Sequence, residues 1–142
     1  MNIHIINGPN LNLLGRREID IYGDKSFENF LLELQESFPS IHLTYFQSNV
    51  EGELINEIQR VGFTVDGIIF NPAGYSHTSI AIGDTVAAIA SPLIEVHISN
   101  IYSREEFRKH SHVSAKAVGT IIGLGLNGYK LAIDFLLNQQ KR

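Results

Sequence analysis

The chain has 142 residues, 44% hydrophobic and 18% charged, with a net charge of −4 and no cysteine. That suits one soluble domain, residues 1–142, with a buried core, and it excludes a disordered chain, a disulfide scaffold, a thiolate metal site and a cysteine nucleophile. The acidic balance leaves no footprint for nucleic acid, no apolar run approaches the ~20 residues that span a bilayer, and "MNIHIING" lacks the basic-then-apolar order of a secretion signal, so a cytoplasmic protein is expected.

In chain order, "NIHIIN" (2–7) reads as a first strand and "SFENFLLELQESF" (26–38) as an amphipathic helix capped by Ser26. "IHLTYFQS" (41–48) is a second strand, and "VEGELINEIQRVGF" (50–63) carries Leu54, Ile55, Ile58 and Val61 at helical spacing. "DGIIFNP" (66–72) is a third strand, "HTSIAIGDTVAAIA" (77–90) a buried apolar helix, and "PLIEVHISN" (92–100) a fourth strand. "SREEFRKH" (103–110) reads as a short helix, "AVGTIIGLG" (117–125) as a fifth strand and "GYKLAIDFLLNQQ" (128–140) as the closing helix. Strands alternating with helices imply right-handed crossovers and a parallel sheet covered on both faces. With five strands the expected fold is α/β, a flavodoxin-like three-layer sandwich of order 2-1-3-4-5.

In such sheets ligands bind beyond the carboxyl ends of the strands. Polar residues gather there: Asn7 to Asn10 after the first strand, Gln47 to Asn49 after the second, Asn71 to His77 after the third and His97 to Asn100 after the fourth. The pattern points to a small polar ligand held by hydrogen bonds. Within "EVHISN", period two puts Glu95, His97 and Ser99 on one face. A carboxylate in a doubly buried strand needs a partner: it either orients His97 and raises its pKa or pairs structurally with a Lys or Arg.

The loop "INGPNLNLLGRREIDIYGD" (6–24) sets Arg16, Arg17 and Tyr22 between glycines, which suits a segment that opens and closes. A tyrosine in such a loop is ordinarily surface decoration. As a base at neutral pH it must be brought down from about 10, and one guanidinium at about 4 Å supplies about 4 kcal/mol at an effective dielectric of 20, nearly the whole requirement. Three weaker motifs read as structural. His110-x-His112 lacks acidic companions for a metal, "GLGLNG" (123–128) lacks dinucleotide spacing, and His4 and His42 fit satisfied strand histidines.

"NGPNLNLLGRRE", "IYG", "NPAGYSHTS", "PLIEVHISN", "SREEFRKHS" and "GLGLNGY", in this order over nearly the whole chain, together resemble the type II 3-dehydroquinate dehydratase family. The resemblance implies removal of water from 3-dehydroquinate to give 3-dehydroshikimate, in the shikimate pathway, without metal or organic cofactor. It implies Tyr22 as a tyrosinate base with Arg17 keeping its pKa low. Asn10 would stabilise an enolate oxygen through an ordered water, and His97, oriented by Glu95, would act as general acid. Asn71 and the backbone N–H groups of Ile98 and Ser99 would hold the substrate carboxylate, with His77 and Arg108 on the ring hydroxyls. It further implies a homododecamer of trimers, with Asp84 at an inter-subunit contact to the site. Ile19 departs from the proline common there in the family, and a freer loop backbone is expected.

Two other readings fit the fold. A flavin or nucleotide module would want a Ser/Thr/Gly-rich loop after the first strand, for which "NGPNLNLL" is poor, and a phospho-acceptor domain would want acids where Asn10 and Asn71 stand.

Overall fold

The computed structural model describes residues 1–16, 20 and 24–139. Its five strands are β1 (Asn2–Asn7), β2 (His42–Gln47), β3 (Gly67–Asn71), β4 (Leu93–His97) and β5 (Gly119–Ile122), and they form a single sheet of order β2-β1-β3-β4-β5. Every adjacent pair is parallel. The register sets Asn7 beside both Gln47 and Asn71, and His97 beside Ile122. Three amide side chains therefore stand in a row across the ends of β2, β1 and β3.

Helices cover both faces, as the near-continuous apolar strands require. On one face α1 (Phe27–Ser37) and the closing α5 (Asn127–Gln139) bury Phe27, Phe30, Leu34, Tyr129, Ile133 and Leu136 against Ile3, Ile5, Ile69, Ile94 and Val96. On the other, α2 (Glu51–Val61) and α4 (Ile80–Ala88) bury Leu54, Ile58, Val61, Ile82 and Val86 against Ile6, Ile68, Phe70 and Leu93. The expected three-layer α/β sandwich with strand order 2-1-3-4-5 is the fold observed. Ser26 caps α1 as expected, its Oγ accepting from Asn29 N at 3.2 Å.

Four elements differ from expectation, each for a local reason. The helix read over 77–90 is two helices, α3 (Tyr75–Thr78) and α4, because Ser79 takes extended backbone and its Oγ caps α4 by accepting from Ile82 N at 2.9 Å. The short helix read over 103–110 is a pair of 3-10 turns, Ile101–Ser103 and Glu106–Lys109, with Arg104 extended between them. The 3-10 period suits its ion pairs, which run i to i+3 from Glu105 to Arg108 and from Glu106 to Lys109.

The fourth and fifth strands stop earlier than their apolar runs. Gly123, at φ +83°, turns the chain so that its N–H donates to the His97 carbonyl, and Gly125 N donates to the Ile98 carbonyl. "GLGLNG" is therefore a brace for the end of β4, a role not read from its sequence.

His4 is buried as expected, but His42 is exposed, because it opens β2, the edge strand of the sheet. No helix among the described residues is long and apolar enough to cross a membrane.

Candidate active site

A cavity of about 230 Å³ opens beyond the ends of β1, β3 and β4, where the fold predicts a ligand. Asn10, Asn71, His77, His97, Ile98, Ser99 and Arg108 all line it. Seven expected site residues, distant in sequence, are thus brought together. Tyr22, Arg17 and Ile19 lie outside the described residues.

The period-two pattern explains how the strand ends supply different chemistry. His97 and Glu95 leave β4 on the side of α4, whereas Asn71 leaves β3 on the side of α5, so the groups converge from opposite faces of the sheet. Glu95 is fully buried and accepts from His97 Nε2 at 2.7 Å. Ser111 Oγ donates to Glu95 Oε1 at 2.8 Å and Ser114 Oγ to Oε2. Burial alone would push the Glu95 carboxyl up, but these hydrogen bonds and the neighbouring imidazole hold it below the ordinary value. Among its described partners there is no Lys or Arg, so of the two readings of this carboxylate the imidazole partnership is the one the structure displays. Nδ1 is then the His97 nitrogen not engaged by Glu95.

His77 is fixed from its other side. Its Nδ1 donates to the His110 carbonyl at 2.8 Å, leaving Nε2 as an acceptor in the neutral ring. Burial lowers its pKa, so it stays neutral beside His97, whose ring lies parallel with centroids 6.3 Å apart. The 110–114 segment therefore serves both imidazoles, and it sits close against α4: a Cβ at Gly83 would lie 2.5 Å from the His112 carbonyl oxygen.

Asn10 adopts left-handed backbone at φ 68°, its N–H donating to Asn49 Oδ1 at 3.0 Å. Gln47 Nε2 donates to the same oxygen at 3.1 Å, and Tyr75 Oη donates to the Asn49 carbonyl at 2.8 Å. Asn71, 3% exposed, accepts from Ala73 N at 3.0 Å and donates to Tyr129 Oη at 3.1 Å.

Two guanidinium groups face the cavity from the 101–109 segment. Arg108 Nε donates to Glu105 Oε2 at 2.6 Å. Arg104 donates to Ser99 Oγ at 3.3 Å and lies 3.9 Å from the same carboxylate. Arg104 was not singled out in the sequence; its spacing of four from Arg108 was the available signal. Ser111 and Ser114 were missed too, since nothing in "HSHVS" says that its hydroxyls face Glu95. Asp84 is exposed on α4 and does not line this cavity. Among the described residues no group of three or more His, Cys, Asp or Glu could hold a metal ion. The described site combines a carboxylate-oriented imidazole, a second neutral imidazole, amide donors and two cations, which suits acid–base chemistry on a small hydroxylated anion.

Comparison with known proteins identifies the family. Residues 1–137 match the model of the family described as dehydroquinase class II. A protein of Campylobacter jejuni named 3-dehydroquinate dehydratase is 53% identical over 135 residues, covering 94% of this chain and 85% of that one. One of the same name from Prochlorococcus marinus is 47% identical, covering 100% of this chain and 99% of its own. The crystal structure of the type II dehydroquinase of Butyrivibrio crossotus superposes with a TM-score of 0.92 at 46% identity, over 96% of this chain and 97% of that one. The family model, the relatives and the shared fold show that this chain belongs to the class II dehydroquinase family.

Proposed function

We infer that this chain is a 3-dehydroquinate dehydratase that forms 3-dehydroshikimate by anti elimination through an enolate. Tyr22, as tyrosinate with Arg17 beside it, removes a proton from the carbon next to the ketone. The electron pair moves onto the ketone oxygen, and Asn10 stabilises that oxyanion through an ordered water. The enolate then collapses, the bond to the β-hydroxyl breaks, and His97 delivers a proton so that water leaves. Asn71 with the backbone N–H groups of Ile98 and Ser99 holds the carboxylate, while His77 and Arg108 take the ring hydroxyls.

The observation that carries this reading is the buried Glu95–His97 contact at 2.7 Å beside the cavity. A carboxylate held ionised stabilises an imidazolium, the form a general acid needs. Two further cations at the cavity suit an anionic ring acid.

The assay is enone formation from 3-dehydroquinate, followed in the ultraviolet with a chelator present. Wild type is expected to turn over; Tyr22→Phe is expected to lose several orders of magnitude. Retained activity in Tyr22→Phe would dismiss the tyrosinate while leaving the overall reaction standing. Substrate with deuterium on one face of the reacting carbon distinguishes anti from syn loss. Borohydride with substrate should not inactivate, because no Schiff base forms.

The same reading includes a homododecamer of trimers in which Asp84 reaches a neighbouring copy's site. Its support is that Ile80 and Asp84, on the helix that follows His77, and Phe107, next to Arg108, are exposed. Light scattering should give twelve times the chain mass of 15.8 kDa; a monomer of full activity would refute this part.

A further inference from the structure

Behind Asn71 at the cavity wall lies a polar chain whose other members, Tyr129 and Asn7, the dehydration chemistry does not itself use. Asn7 and Asn71 are register partners at the ends of β1 and β3, 0% and 3% exposed. Tyr129 rises between them from the first turn of α5 and is fully buried. Its Oη donates to Asn7 Oδ1 at 2.8 Å and accepts from Asn71 Nδ2 at 3.1 Å.

The direction of these bonds is set from the Ala73 end, since Asn7 Nδ2 is buried without a hydrogen-bond partner and does not itself fix how Asn7 faces. A carboxamide has nearly the same shape with its oxygen and nitrogen exchanged, so packing alone cannot tell Asn71 which way to face. A phenol has one proton, and Asn7 Oδ1 takes it. Toward Asn71 the phenol can then only accept, which demands the NH₂ on that side. From the opposite side the Ala73 N–H demands the oxygen, at 3.0 Å. Rotating the amide would oppose oxygen to oxygen and N–H to N–H in a buried site, losing both bonds at once. Burial also pushes the phenol pKa up, so it keeps the proton on which this polarity depends.

We propose that Tyr129, with Asn7 behind it, is a positioning residue that fixes the Asn71 amide so that its remaining N–H is the group available to an anion in the cavity. This rests on the reading that Asn71 holds the substrate carboxylate. The polarity matters because a carboxylate can only accept: a flipped Asn71 would present oxygen to oxygen. Tyr129 acts through Asn71 and not on the reacting atoms, so its effect belongs in binding and not in turnover.

The experiment is a cycle of Tyr129→Phe, Asn71→Ala and the double variant, with KM and kcat from the enone assay. Calorimetric Kd for quinate, a ring acid without the ketone, is measured alongside. Tyr129→Phe is expected to raise KM and the quinate Kd by about five- to tenfold, with kcat within about twofold. In the Asn71→Ala background it should add nothing further. Asn7→Leu, which removes the acceptor at similar volume, should reproduce the Tyr129→Phe phenotype, and it serves as the second variant if Tyr129→Phe folds poorly.

Unchanged KM in Tyr129→Phe while Asn71→Ala raises it would overturn the relay alone. Losses that multiply in the double variant would do the same. Unchanged KM in Asn71→Ala would instead overturn the carboxylate-binding reading, and the relay with it.

Discussion

His97 Nε2 and Glu95 Oε1 lie 2.7 Å apart inside β4, with the carboxylate fully buried and the imidazole 5% exposed. A buried charge survives only when its lone pairs are met, and Ser111 and Ser114 complete the set. Glu95→Gln keeps the shape and removes the charge facing the imidazole. We expect kcat to fall by roughly ten- to hundredfold with KM little changed. A rise confined to KM would assign Glu95 to binding instead.

The two serines give a graded version of the same test. Ser111→Ala and Ser114→Ala each remove one donor from a buried carboxylate, so each should cost about 1–3 kcal/mol in urea denaturation. Ser111 also accepts from Val113 N at 3.1 Å and from Ser114 N at 3.2 Å, so it should be the costlier of the two. Equal, negligible losses would show that the segment is held by its backbone alone.

Arg104 contacts Ser99 from the cavity wall and so stands where an anionic ligand would meet it. Arg104→Ala is expected to raise KM by about tenfold or more, and Arg104→Lys to recover only part, because an ammonium lacks the planar fork. Full recovery in Arg104→Lys would mean that charge alone matters there.

Away from the cavity, His4 supplies a pH signature of stability. Its Nδ1 lies 2.6 Å from Thr44 Oγ1 and its Nε2 2.8 Å from Glu57 Oε1, and Arg60 binds the same carboxylate with two nitrogens. Burial lowers the His4 pKa below its ordinary 6.5, outweighing the pull of Glu57 upward. Between those values the unfolded chain holds a proton that the folded chain does not, so stability falls as pH drops through 6.5. Glu57, held low chiefly by its hydrogen bonds from Arg60, contributes stability above its ordinary 4.5 that is lost as pH falls through its folded value. Urea midpoints should therefore fall between pH 7.5 and 5.5 more steeply in wild type than in His4→Gln. Parallel profiles would remove His4 from the account.

The alternation of apolar strands and amphipathic helices made the layers and strand order legible, because periodicity reports burial directly. It could not report where Ser79 would interrupt an apolar helix, since a serine at a cap and one in a helix interior look alike until the next N–H finds its oxygen. Asn10, Asn71, His77 and His97 were legible because strand ends converge by topology. Arg104, Ser111 and Ser114 were not, since their partners lie on other elements and only the folded chain aligns them. Tyr129 was hidden for the opposite reason: in an apolar helix a tyrosine reads as packing, and its hydroxyl is visible only against the two amides.

The row of amides across β2, β1 and β3 has a kinetic corollary. Gln47, Asn7 and Asn71 are aligned only after three strands, separated by whole helices, have found their parallel register. Regain of catalysis after denaturation should accordingly lag behind regain of helical signal and report the last pairing event. A partly assembled chain has no fraction of this site to offer.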